Sequence, residues 1–175
     1  MTLFDSHAHL QLHRFDKDRD QVIQNARDAG LTMILNLATC MDDAQAVINL
    51  AEKYDFCYAA VGTHPCDVDQ YKPEHDEKFI ELANHPKVVM IGEIGLDYFH
   101  KPFDAEYQKN VLRRHLAIAR EVNLPVSLHC RGEGCYDDLV SVLQEENAEE
   151  FGGIAHCFIG EKKHAKALMD MGLYL

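Results

Sequence analysis

The chain has 175 residues, 47% of them hydrophobic and 26% charged, which suits one globular domain over residues 1–175 and argues against a disordered chain. Its formal charge of -12, with no basic stripe, argues against a broad duplex-gripping surface but leaves room for a small phosphate site built on metal cations. Six cysteines without a C-x-x-C pair fit reduced thiols in a cytoplasmic protein better than a disulfide framework.

The first predicted strand, residues 2–5, runs into "SHAHLQLHRFD". The acid and histidines here are unlike a signal peptide. His7 and His9 lie two apart, so in an extended segment they point the same way and can chelate one ion. An isolated H-x-H pair is more often incidental than a ligand pair. A helix over 16–29 ends at Gly30. A strand at 32–37 and a helix at 42–53 follow, and the longest apolar run, "LTMILNLATCM", is too short to cross a membrane. The strand at 56–61 leads into "VGTHP", which holds His64.

After a helix at 74–84 comes a strand at 88–92, then Glu93 in "IGEIGLDY". A carboxylate after an apolar run is costly unless paired or coordinated; the plain alternative is a solvated loop acid. The helix at 105–122 has the clearest periodicity, with Val111, Leu112, His115, Leu116, Ala119 and Val122 on one face. The strand at 125–129 ends on His129 in "LPVSLHCR". A helix over 136–147 carries the acidic run "QEENAEE", read as a solvated helix end. The strand at 153–157 includes His156, the helix at 161–171 stops at Gly172, and "LYL" at 173–175 begins a seventh strand.

Strand–helix alternation at this spacing implies parallel strands joined by right-handed crossovers. No Gly-rich loop follows the first strand, against a dinucleotide-binding sheet. The better expectation is an α/β chain forming a TIM-like (β/α) barrel: six β/α units and the start of a seventh strand. Such barrels typically need about 250 residues, so a C-terminal truncation is expected. The alternative is an open six-stranded sheet, complete as it stands.

His7, His9, His64, Glu93, His129 and His156 all fall at or near strand C-termini, the face on which barrel enzymes carry their sites. One histidine among apolar strand residues is usually a satisfied core residue; two on neighbouring strands facing Glu93 favour ligation. His13, His75, His85, His100, His115 and His164 receive no chemistry. Four histidines and a glutamate, without thiolate, suit divalent Zn, Mn, Mg or Ni. Two ions bridged by one carboxylate serve hydrolysis of a phosphoryl or carbonyl centre. Such sites usually hold a further carboxylate, and Asp170 is no candidate because it falls inside a predicted helix.

"LFDSHAHL", "GTHP", "GEIGLDY", "LPVSLHCR" and "GIAHCF" together resemble the TatD-like metal-dependent hydrolases, in order and spacing, over essentially the whole chain. The resemblance implies a TIM-like barrel, two divalent metal ions and 3′-to-5′ exonuclease action on single-stranded DNA. It places one ion on His7 and His9, the bridge on Glu93 and the second ion on His129 and His156. It sets His64 near the substrate or the attacking water, with Glu93 as the other catalytic residue. Asp97 would have a structural or supporting role. Arg131 would suit a phosphate oxygen, or else a loop salt bridge.

Three features depart from the family pattern: Gln11 where Asp or Asn is common, "GEGCYDD" after "HCR", and no late "E-T-D" strand end within residues 1–175. Three functional expectations follow. The first is a metal-dependent deoxyribonuclease. The second keeps the metals but acts on an ester, lactone or amide, which the acidic charge favours. The third is an inactive barrel fragment lacking a ligand.

Overall fold

The computed structural model describes residues 2–175. Seven strands form one sheet in the order β1 to β7: β1 (Leu3–Ala8), β2 (Leu31–Leu37), β3 (Cys57–Val61), β4 (Val88–Asp97), β5 (Val126–Arg131), β6 (Gly153–Ala155) and β7 (Leu173–Tyr174). Every neighbouring pair is parallel. Six α-helices provide the crossovers: α1 (Arg19–Asp28), α2 (Met41–Lys53), α3 (His75–Ala83), α4 (Ala105–Val122), α5 (Cys135–Glu145) and α6 (Lys162–Asp170). This is the expected TIM-like α/β architecture, curled as a half-barrel. It has seven strands, against the open six-stranded alternative.

Strand alternation produces two apolar layers. Ile34, Ala59, Val61, Ile91, Val126 and Leu128 face the helices and pack with Val47, Ile48, Phe79, Leu112, Leu116 and Leu139. Leu35, Leu37, Ala60 and Met90 form a second cluster on the inner face. Helix α4 shows how the sequence builds the outer layer. Asp104 caps its first turn by accepting from the Tyr107 N–H at 3.0 Å. Asn123 ends it in the left-handed region at φ 54, and Val111, Leu112, His115, Leu116 and Ala119 are all buried. Burying each large aliphatic side chain contributes about 1.5–3 kcal/mol.

The differences from the predicted elements have local causes. β1 runs on to Ala8, so His7 lies within the strand. α1 starts at Arg19, after a short 3-10 helix at His13–Phe15. The Arg19 side chain explains the delay: it donates to the carbonyls of Leu10 (2.6 Å) and Gln11 (3.1 Å) and to Asp16 (2.6 Å), closing residues 10–18 into a loop. A 3-10 helix at Pro65–Gln70, unanticipated, begins with Pro65 beside a capping His64. β6 stops at Ala155, which leaves His156 just beyond it.

The largest difference is β4, which continues five residues beyond the predicted end, so Glu93 sits inside a strand. The apolar run stops at Gly92, but the ladder does not. Ile94, Gly95, Leu96 and Asp97 pair with Leu128, His129, Cys130 and Arg131, after a register shift between Ile91 and Ile94. Glycine makes this possible. A Cβ on Gly95 would lie 2.0 Å from the His129 carbonyl oxygen, and one on Gly92 would lie 2.8 Å from the Ser127 Cβ. No helix is long and apolar enough to cross a membrane among the described residues.

Candidate metal centre

Glu93 is the centre of the site. It is 2% exposed, and its two carboxylate oxygens face different histidine pairs. Oε2 lies 3.2 Å from Nε2 of His7 and 3.2 Å from Nε2 of His9. Oε1 lies 3.1 Å from Nδ1 of His129 and 2.8 Å from Nε2 of His156. Each pair comes from strands or strand ends on one side of β4. Alternation explains the directions: Ile94 and Leu128 turn to the helices, so Glu93 and His129, each one residue away, turn inward. The rings of His7 and His156 stack at 3.6 Å between centroids.

The hydrogen bonds behind the rings assign their protons. His9 Nδ1 lies 2.8 Å from the Leu37 carbonyl, an acceptor only, so Nδ1 carries a hydrogen and Nε2 is free to ligate. His129 Nε2 lies 2.9 Å from Asp97 Oδ2. That leaves Nδ1 as its ligating atom, on the Glu93 side. His64 is arranged the other way. Its Nδ1 accepts from the Cys66 N–H at 3.1 Å, so its hydrogen is on Nε2, 3.6 Å from Glu93 Oε1. His64 therefore presents a donor where His9 and His129 present lone pairs. Among atoms that could converge on a cation, His64 groups with Glu93 and His129. Its tautomer makes His156 the better partner for that half.

Electrostatics follow this arrangement. Burial opposes ionisation of Glu93, but wherever the facing nitrogens of His129, His156, His7 and His9 carry a proton rather than a lone pair for an ion, their hydrogen bonds hold its pKa far below the usual carboxylate range. Burial works against protonated His9 and His129 too. The Glu93 carboxylate, with the Leu37 carbonyl for His9 and Asp97 for His129, raises both net. Burial and the neighbouring His129 push His64 down to about 4, so it is neutral at pH 7.

This donor set fits divalent cations. Nε2 of His7 and His9 lie 3.1 Å apart and each is 3.2 Å from one carboxylate oxygen, the separations expected of atoms sharing an ion at about 2.0–2.2 Å. Two ring lone pairs and an anion at that spacing need a cation or shared protons between them. His7 Nδ1 is buried without a partner.

Residues outside the expected ligand set complete the surroundings. Asp97, fully buried, accepts from the backbone N–H groups of Phe99 and His100 at 2.9 and 2.8 Å, besides its contact with His129. Burial opposes its ionisation, yet these donors keep it at about 2. Gln108 on α4 brackets the same residue: its Oε1 accepts from the Asp97 N–H at 2.8 Å and its Nε2 donates to the Asp97 carbonyl at 3.0 Å. His100, read as inert in sequence, has Nδ1 2.9 Å from Asp97 Oδ2; the Asp and His three apart in "LDYFH" were the available signal. Gln11, the departing residue, donates to the Leu37 carbonyl at 2.9 Å and to Asp43 at 2.8 Å, tying the loop after β1 to the start of α2. Arg131 lies with its guanidinium carbon 4.1 Å from the Phe99 ring centroid. No ion pair to it occurs among the described residues, contrary to the loop salt-bridge alternative. Among the described residues the Asp5 side chain accepts only from the His7 N–H, at 3.1 Å.

A family model described as TatD related DNase matches residues 4–175. The chain is 40% identical over 173 residues to the uncharacterized metal-dependent hydrolase YabD of Bacillus subtilis, spanning 99% of this chain and 67% of that protein. It is 34% identical over 173 residues to the 3′-5′ ssDNA/RNA exonuclease TatD of Escherichia coli (strain K12), spanning 99% of this chain and 66% of that one. The crystal structure of YJJV, a TatD homolog from Escherichia coli K12, superposes with a TM-score of 0.89 at 31% identity, over 98% of this chain and 66% of that one. The chain thus spans about two thirds of the length of the relatives it matches.

Proposed function

The chain belongs to the TatD related DNase family, and from that premise we propose that it acts as a metal-dependent phosphodiesterase on single-stranded nucleic acid from the 3′ end. The observation that carries the reading is the division of Glu93: one oxygen toward His7 and His9, the other toward His129 and His156. In this reading His7 and His9 would hold one divalent ion and His129 and His156 a second, with Glu93 offering one carboxylate oxygen to each half. When bound, the two ions supply Lewis-acid polarisation of the phosphoryl group and a nucleophile at neutral pH.

The protein groups have separate tasks. Glu93 supplies the negative charge that keeps both halves of the site together. Asp97 holds the His129 ring in the tautomer that leaves Nδ1 free. His64, neutral with its Nε2–H directed inward, donates to an oxygen of the substrate or of the attacking water. Arg131, stacked on Phe99 and free of a carboxylate partner, binds a phosphate oxygen. Phe99 is 56% exposed and Phe103 and Tyr107 are also exposed, giving unpaired bases aromatic faces to stack on.

The formal charge of -12 favours a second reading, hydrolysis of an uncharged ester, lactone or amide at the same ions. One experiment separates the two. With Mn or Mg, nucleotide release from single-stranded DNA labelled at the 3′ end should exceed turnover of acyl esters and vanish in Glu93→Ala. No metal-dependent release, or faster acyl turnover, overturns the nuclease reading.

A further inference from the structure

Beside the Glu93 centre lies a second convergence of ligand atoms with a different chemistry. Cys66 follows His64 in the 3-10 helix, and Asp97 and His100 lie at and beyond the end of β4. The Cys66 Sγ is 3.7 Å from His100 Nδ1, and the same Nδ1 is 2.9 Å from Asp97 Oδ2. All three ligand atoms lie within 4.8 Å of one another.

The geometry distinguishes between two uses of a Cys, His and Asp set. In a nucleophile–base–orienter relay, the thiol and the carboxylate contact opposite nitrogens of the imidazole. Here both contact Nδ1, so no proton can pass through the ring from sulfur to carboxylate. Three ligands converging around one nitrogen instead match chelation. Around a tetrahedral zinc with bonds of about 2.3 Å to sulfur and about 2.0–2.2 Å to nitrogen and oxygen, ligand atoms stand roughly 3.4–3.6 Å apart. The observed separations bracket that range.

Access fits as well. Cys66 and His100 are exposed and line a cavity of about 600 Å3, with Lys101, Phe103 and Tyr107 on its walls. We propose that Cys66, Asp97 and His100 form a third cation site, selective for zinc or another thiophilic divalent ion, with its fourth position open to that cavity. Thiolate is what sets it apart: the Glu93 centre is built from nitrogen and oxygen only, and softer ions prefer sulfur. Asp97 joins the two sites, since the oxygen that would bind this ion also contacts His129. Loading the third site would therefore change the hold on the His129 ring.

The proposal is independent of the nuclease reading, and cobalt(II) tests it without an activity assay. The chain loaded with excess cobalt should show a near-ultraviolet thiolate-to-cobalt charge-transfer band, besides the visible bands of cobalt held by histidines. Cys66→Ser should abolish the charge-transfer band while keeping the visible bands, which also shows that the variant is folded. His100→Ala should weaken cobalt binding that produces the charge-transfer band at least tenfold. Cys157→Ser, which alters an exposed cysteine outside the cluster, should leave the band intact. A wild-type spectrum with visible bands and no charge-transfer band overturns the third site, as does a band that survives Cys66→Ser.

Discussion

Asp97→Asn isolates the part of the account that depends on a single proton. The asparagine keeps the volume and, with its oxygen at the Oδ1 position, can still accept from the Phe99 and His100 N–H groups. Its NH2 then faces His129 Nε2, now 2.9 Å from a carboxylate oxygen. Two donors would meet, and the conflict resolves only if the His129 hydrogen moves to Nδ1, the atom that faces Glu93. That removes the lone pair assigned to the second ion. Loss of such a supporting contact typically costs 10–100-fold in metal affinity, about 1.4–2.8 kcal/mol. Manganese, a hard ion that does not seek the Cys66 thiolate, is the right probe. Titration of the metal-free chain at neutral pH should show one of the two manganese affinities, that of the His129 and His156 side, falling by that factor. The ion on His7 and His9 should change less. Unchanged affinities for both ions, or a larger loss on the His7 and His9 side, would refute the tautomer argument.

Further outcomes follow from the same geometry. His64→Ala should lower kcat for nucleotide release about 10²–10³-fold and still bind two manganese ions; loss of an ion would make His64 a ligand. Arg131→Ala should raise KM for a DNA substrate with kcat changed little, and an unchanged KM removes Arg131 from substrate binding. Gly95→Ala forces a Cβ against the His129 carbonyl at φ +140; chemical denaturation without metal should show a loss of about 2–5 kcal/mol. His115 is buried beside Tyr71 and Phe79, and burial lowers it from 6.5 to about 4. The unfolded chain takes that proton first, so His115 stabilises the fold above pH 6.5, and the contribution drains away as pH falls toward 4. The melting temperature of metal-free protein should drop less across that window in His115→Leu than in wild type, and equal slopes would contradict the assignment.

Periodicity made the alternation of strands and helices legible, because each helix has one apolar stripe and each inner strand a continuous apolar run. It failed at β4, where the pattern breaks at Gly92 while the ladder continues to Asp97. Only the close approach of β5, invisible in one sequence, keeps those residues paired. The same limit applied to the site. His7, His9, Glu93, His129 and His156 could be picked out because strand ends bring distant residues together, and the structure does bring them together around Glu93. Family resemblance, not spacing, divided them between two ions. Gln108 had no signal and His100 was given no chemistry: Gln108 matters because α4 packs over β4, and His100 because the chain after Asp97 folds back upon it. Cys66 was counted only for redox state, since nothing local links it to residues 97 and 100.

Anomalous diffraction from crystals grown with manganese is the sharpest test of a two-ion site at Glu93. Two peaks should flank the Glu93 carboxylate, one contacting His7 and His9 and the other His129 and His156, each within about 2.0–2.3 Å of its nitrogens. A single peak, or peaks that leave either histidine pair without an ion, would contradict that site.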